Sequence, residues 1–290
     1  MIDAYIIHLL ILIGIYLILA ISLQLALGFN GLLNLGHIAF FGIGAYTSAL
    51  LALNGTPFFI CFIAAGIIAM IFGFILSIPT NKLKGDYLAL ATMGFTFVIY
   101  AILLNWTKLT RGPLGLPGIP RPSLFGLVFS SNFSFLILTA VIAIVSYFII
   151  YRIIKSPFGK VIESIRDDEL ASRVLGKNSF KTKSIVLGVS AFFAGISGSL
   201  YASYITFIDP SSFVLMQLIP VLLIVIVGGL ASLPGTIIAT FILILLPESL
   251  RFVGFPSSIV GPMRQIIYAV ILILILIYKP RGFFGRVEIG

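Results

Sequence analysis

The chain has 290 residues, 60% hydrophobic and only 9% charged, with 26 phenylalanines and a mean hydropathy of +1.21. So much apolar surface exceeds what a soluble core of this length can enclose, which excludes an ordinary soluble domain and indicates an integral membrane protein. The net charge of +9 does not indicate nucleic acid, because the basic residues fall in connections between apolar runs, where they act as a topology signal.

The apolar runs are 15 to 25 residues long. That suits helices of about 20 residues crossing a roughly 30 Å hydrocarbon layer better than barrel strands of about 10. Helices are expected near 4 to 27, 36 to 53, 57 to 79, 87 to 105, 133 to 151, 184 to 205, 216 to 230, 236 to 250 and 264 to 278. The expected fold is an all-α polytopic membrane protein, one transmembrane domain over 1 to 290, with nine spans in a range of eight to ten.

Asp3 and His8 open the chain and no Lys or Arg precedes the first apolar run, so the first helix reads as retained and not as a secretory signal. Segment 28 to 35, GFNGLLNL, reads either as a break inside the membrane or as a capped loop near the cytoplasmic surface. Around it cluster Asn30, Asn34 and His37, the candidate translocation path. Polar groups at membrane depth are costly, and a broken helix offers free backbone groups that can hold a carboxylate or an ammonium. His37 also has a plain reading as a packing histidine or a pH-sensitive group. Cys61, the single cysteine, reads as a small packing residue. Asp86 beside Lys82 and Lys84 reads as an anion at a helix N-terminus.

The loop from 106 to 132 interleaves Pro113, Pro117, Pro120 and Pro122 with Gly112, Gly115 and Gly118, so it cannot stay helical. With Lys108, Arg111 and Arg121 it reads either as a firm, slightly basic receiving surface or as a simple connection. Residues 152 to 183 hold 12 of the chain's 27 charges. Ser156-Pro157 is a helix start. Phe158, Val161, Ile162 and Ile165 line one helical face, and Ala171, Val174 and Leu175 line another before Gly176, so two short helices with a bend are expected. Four acidic residues here would be repelled by an anionic leaflet, so a docking site for a soluble protein suits the segment better than the membrane surface.

Further on, Ala191, Gly195 and Ser199 recur four apart on one face, the spacing of close helix packing, static or moving. Pro220 is expected to kink its helix, Gly228-Gly229 with Pro234-Gly235 marks a tight turn, and Glu248 reads as a snorkelling residue near the outer end of its span. If 152 to 183 is cytoplasmic, 13 of the 18 basic residues lie inside and five outside. The C-terminus is then cytoplasmic and, with nine spans, the N-terminus is outside.

The stretch ESIRDDELASRVLG, 163 to 176, resembles the cytoplasmic coupling loop of permease subunits in the branched-chain amino acid class of ABC importers. NGLLNLGHIAFFGIGAYTSALL (30 to 51), LKGDYLALATMGF (83 to 95), TRGPLGLPGIP (110 to 120), IVGGLASLPGTIIA (226 to 239) and YKPRGFFG (278 to 285) resemble further motifs of that family, of its LivM-type subunit in particular. The resemblance implies a multi-pass cell inner-membrane subunit providing the pathway for branched-chain or related amino acids by alternating access. Its implied partners are a paralogous permease in a heterodimer, two cytoplasmic ATP-binding subunits and an extracytoplasmic solute-binding protein. ATP and Mg would sit on the ATPases, with no cofactor on this chain. ATPase coupling falls to Glu163, Ile165, Arg166, Asp167, Asp168, Glu169, Ala171 and Gly176. Permeases for urea, amides or other amino acids are alternatives within the family, and an ion-coupled secondary transporter is one outside it. Consistent with a separate motor, Gly159-Lys160 lacks the earlier glycine of a phosphate-binding loop, position 154 being isoleucine. No nucleophilic triad and no cluster with metal-ligand spacing is present, so an enzyme is not expected.

Overall fold

The computed structural model describes residues 2–83, 85–124, 127–129, 131–252, 257–279 and 282–285. Lys84, Arg281 and Arg286, which entered the charge count, lie outside the described residues.

Helix α1 (Ile2–Gln24) runs on into a π-turn, Leu25–Phe29, and α2 (His37–Leu53) follows a buried irregular stretch. Helices α3 (Phe58–Thr80) and α4 (Gly85–Asn105) come next, then a one-turn helix α5 (Thr107–Thr110) opening the long loop. Beyond it lie α6 (Asn132–Lys155), two short helices α7 (Pro157–Asp167) and α8 (Glu169–Val174), then α9 (Ser179–Ile205), α10 (Leu218–Gly228), α11 (Leu233–Phe252) and α12 (Ser257–Tyr278). Among the described residues five helices are long and apolar enough to cross a membrane, and His37–Leu53, Leu215–Gly228, Leu233–Glu248 and Gly261–Ile275 are shorter apolar helices. These nine segments coincide with the nine expected from the apolar runs.

Among these five long helices α9 is the most enclosed, with 78% of its apolar window buried against 56% for α1 and 28 to 33% for α3, α4 and α6. Those last three instead present large apolar side chains such as Phe59, Ile78, Phe97 and Phe148 outward, as lipid-facing helices do. Helix α9 is central because its small residues let neighbours close on it. The Gly195 carbonyl and Cα stand 2.2 and 2.3 Å from where a Cβ of Gly44 would be, and Ala191 and Gly188 meet Gly73 of α3. The hydroxyls of Ser48 and Ser199 are 2.7 Å apart across α2 and α9. The small-residue stripe is thus the seam of α2, α9 and α3.

Register fixes relative directions. The pairs 44/195 and 48/199 make α2 parallel to α9. Ser190 donates to the Ser22 carbonyl and Ser197 to the Ile15 carbonyl, so α1 is antiparallel to α9. Ser77 donates to Ser184 while Gly73 meets Ala191 and Ala65 meets Gly195, so α3 is antiparallel to it as well. Helices α1, α2 and α3 therefore alternate in direction, and α7 and α8 sit at the end where α1 finishes and α9 begins.

Three local details differ from expectation. Pro220 falls in the first turn of α10, where its missing N–H costs nothing, so it starts the helix and does not bend it. Helix α9 begins five residues earlier than the apolar run, because Asn178 caps it by accepting from Lys181 N at 2.9 Å. Two-residue strands also occur: β1 (Leu116–Pro117) pairs antiparallel with β4 (Phe207–Ile208), and β2 (Ser123–Leu124) with β3 (Leu127–Val128). The Gly228-Gly229 turn is as expected, and the terminal motif folds onto it. Phe283 N donates to Val227 O at 2.9 Å and Phe284 N to Gly228 O at 3.2 Å.

Candidate functional site

Two parts of the molecule carry polar chemistry, and one arginine joins them. The first is the α7–α8 arm. Ser156 caps α7 by accepting from Gly159 N at 3.3 Å, and Asp168 caps α8 by accepting from Leu170 N and Ala171 N at 2.9 and 3.0 Å. Both helices are therefore set by short polar caps and not by apolar length. Ile162 and Ile165 of α7 are buried against the bundle. The face of α8 is not: Leu170, Val174 and Leu175 are 67, 86 and 77% exposed.

The eight expected coupling residues divide. Asp167, Asp168, Ala171 and Gly176 lie on the outer surface, and Glu163 is partly exposed with Lys160 at 3.8 Å. Ile165 points into the bundle. Glu169 also turns inward, 2.8 Å from Lys183 Nζ and 2.5 Å from Arg173 Nη2, and accepts from Ser179 Oγ. Burial would raise its carboxyl, but these hydrogen bonds and charges win and hold it at about 2. Glu169 is thus a brace between α8 and α9. Sequence reasoning left Leu170, Val174 and Leu175 off the coupling set, although an apolar triplet at helical spacing in a charged arm was the signal.

The second part is the break between α1 and α2. Asn30, Asn34 and His37 are all buried. Asn34 Oδ1 accepts from Gly36 N at 2.9 Å, and the Thr96 hydroxyl of α4 donates to the Leu35 carbonyl at 3.0 Å. The break is therefore largely buried in protein, at the α7 end of the bundle. The Ser22 hydroxyl donates its one hydrogen to Leu19 O at 2.7 Å, so His37 Nε2, 2.8 Å from that oxygen, is the donor of the pair. Nδ1 of His37 is then a bare acceptor, and it has no partner. Gln24 donates to the Gly229 carbonyl at 2.7 Å while its Oε1 is unpartnered, as are both amide atoms of Asn30 and Nδ2 of Asn34. The unpaired set holds donors and acceptors but no charge.

Arg166 links the two parts. Its Nε and Nη2 hold Asp167 Oδ1 at 2.9 and 2.8 Å, while Nη1 donates to the Gly28 carbonyl in the π-turn at 3.2 Å.

At the other end, the 206–217 connection folds back into the bundle. Thr206 has a φ of +60°, and Asp209 accepts from Ser211 Oγ and Ser212 Oγ at 2.6 and 2.7 Å. Burial would raise the Asp209 carboxyl, but these bonds hold it below its ordinary value. The turn seats Phe213 on Gly42, with ring centroids 5.6 and 5.7 Å from Phe41 and Tyr46. Also on this side, Tyr5 donates to Glu248, and His8 Nδ1 lies 2.6 Å from the Tyr204 hydroxyl. Glu248 is therefore bonded within the bundle, not simply extended to the interface. Among the described residues no group of three His, Cys, Asp or Glu could hold a metal ion.

The family model described as "Branched-chain amino acid transport system / permease component" matches residues 5–276. The chain is 37% identical over 293 residues, 92% of its length and 67% of the relative's, to the high-affinity branched-chain amino acid transport system permease protein LivM of Escherichia coli. It is 25% identical to LivH of that organism, over 94% of this chain and 92% of that one. It is also 25% identical, over 61% of this chain and 60% of the relative, to the guanosine ABC transporter permease protein NupQ of Bacillus subtilis. No solved structure matches it. The family model covers nearly the whole chain and the identity to LivM runs over 92% of it: the chain belongs to the family of permease components of branched-chain amino acid transport systems.

Proposed function

We propose that this chain is one of two permease subunits of an ATP-driven importer in the cell inner membrane, passing branched-chain or related amino acids inward by alternating access. The observation that carries this reading is the exposed apolar face of Leu170, Val174 and Leu175, set on a capped arm outside the bundle. An apolar face rimmed by Asp167, Asp168 and Arg173 is a docking surface for a soluble protein more than a lipid anchor. Two ATP-binding subunits holding ATP and Mg are the occupants, and their closure moves the arm. Similarity to both LivM and LivH supports a paralogous permease as the second half of the pathway. The loop 106–131, tied to 206–208 by the β1–β4 pair, receives a solute-binding protein.

The charge asymmetry orients the chain with its N-terminus outside and its C-terminus and α7–α8 arm in the cytoplasm. The break at Asn30, Asn34 and His37 lies on the translocation path. Its uncharged donors and acceptors suit a zwitterion, whose charges cancel, better than a net-charged solute. Reconstitution tests the reading: vesicles with this chain, its paralogue and the ATPases take up leucine in an ATP- and binding-protein-dependent manner, with guanosine and urea as competing solutes. Uphill leucine uptake by this chain alone, driven by an ion gradient, would refute it.

A further inference from the structure

We infer that Arg166 is the positioning residue through which the arm controls the break, holding it shut while α7 is seated. This rests on the reading above, in which the arm meets the motor and the break lies on the path.

Four observations lead to it. Arg166 begins on a helix outside the bundle, yet its side chain is only 15% exposed and runs back beneath α7. A guanidinium carries five donors in a fixed fork, so it can hold a carboxylate and a carbonyl together. Asp167 fixes one side of that fork and leaves Nη1 aimed at Gly28 O. That carbonyl belongs to the π-turn Leu25–Phe29, the irregular end of the helix on which α6, α9, α10 and α11 pack, and the last carbonyls of a helix need partners from elsewhere.

The contact is also steric. Gly31 has a φ of +69°, and a Cβ there would stand 3.0 Å from Cγ of Arg166, so α7 rests directly on the break. Between these two points of contact lies Asn30, buried with neither amide atom bonded. Closed, the break leaves five polar atoms of Gln24, Asn30, Asn34 and His37 without partners, and each is stabilised by water or a polar solute. Opening the break would let water or a polar solute reach them, and the arginine is what the arm can withdraw to open it.

The test uses the whole complex in vesicles, with Asn30→Cys in a Cys61→Ala background labelled by a membrane-impermeant thiol reagent from the arm side. Arg166→Gln should leave the ATPases bound, raise the labelling rate at position 30 about tenfold and lower solute moved per ATP by a similar factor, the size of an ordinary coupling free energy. Arg166→Lys, which keeps charge without the fork, should fall between. Unchanged labelling and unchanged solute per ATP in Arg166→Gln would overturn the inference, as would loss of the ATPases, which would make Arg166 a docking residue. If instead the ATPases stay bound when Leu170 and Val174 carry charge, the docking reading fails, whatever Arg166 does.

Discussion

Glu169 and Lys183 face each other at 2.8 Å with both side chains only 9% exposed, pinning the short helix α8 to the start of α9. In a chain with so few charges, this pair is spent on holding an arm in place. Removing one partner strands the other, a change that costs about 3 kcal/mol in buried pairs. Glu169→Gln and Lys183→Met should each loosen the arm. Limited proteolysis after Arg173 or Lys177 should then speed up.

The same pair sets a pH window. The Glu169 carboxyl is depressed from 4.5 to about 2 in the folded protein. Its contribution is therefore complete above about pH 4.5 and drains away as pH falls toward about 2. The stability gap between wild type and Glu169→Gln, measured by thermal unfolding in detergent, should be widest near neutrality and close only as pH falls through about 2.

Charge on the face of α8 should break assembly without breaking the fold. Leu170, Val174 and Leu175 are exposed, so Leu170→Glu with Val174→Glu buries nothing new and leaves insertion intact. Co-purification of the ATPases should drop at least about tenfold, as for loss of a central apolar contact. Full retention of the ATPases would count against this surface.

Adding one methyl at the α2–α9 seam should cost far more than its size suggests. A Cβ on Gly44 would stand 2.2 Å from the Gly195 carbonyl, and one on Gly198 2.1 Å from the Phe41 carbonyl, so backbones must separate. Gly44→Ala and Gly198→Ala should each destabilise by about 1–3 kcal/mol. Gly94→Ala, whose Cβ meets nothing within 4 Å, should stabilise α4 by about 1 kcal/mol. Unfolding in detergent of the three variants checks the ranking.

Across the same seam, the Ser48–Ser199 bond at 2.7 Å should be worth only about 0.6 kcal/mol in a double-mutant cycle, the usual size inside a membrane. A coupling of several kcal/mol would mean that the hydroxyls, not the small residues, hold α2 to α9.

Topology is readable by thiol labelling in a Cys61→Ala background. Leu114→Cys, in the long loop, should react with an impermeant reagent in intact cells stripped of any outer layer. Val174→Cys, in the arm, should react only in inverted vesicles. Both positions are more than 80% exposed, so accessibility is decided by side and not by burial.

Much was fixed by the sequence itself, because a bilayer imposes length and apolarity segment by segment. Nine apolar runs, the Ser156 start of α7, the bend at Asp168 and the Gly228-Gly229 turn depend on neighbours a few residues away, and such local rules are legible in one dimension. What only the tertiary structure decided is which way polar groups turn. Glu169 and Arg166 sit among acidic and basic residues of the same arm, and nothing in their spacing tells that one braces Lys183 fourteen residues on while the other reaches Gly28, 138 residues back. The small-residue stripe on α9 was visible, but that Gly195 serves α2 and α3 at once was not. In lipid, apolar surface has no preferred partner. Close approach and hydrogen bonding between distant segments therefore choose the arrangement, and they exist only once the chain has folded.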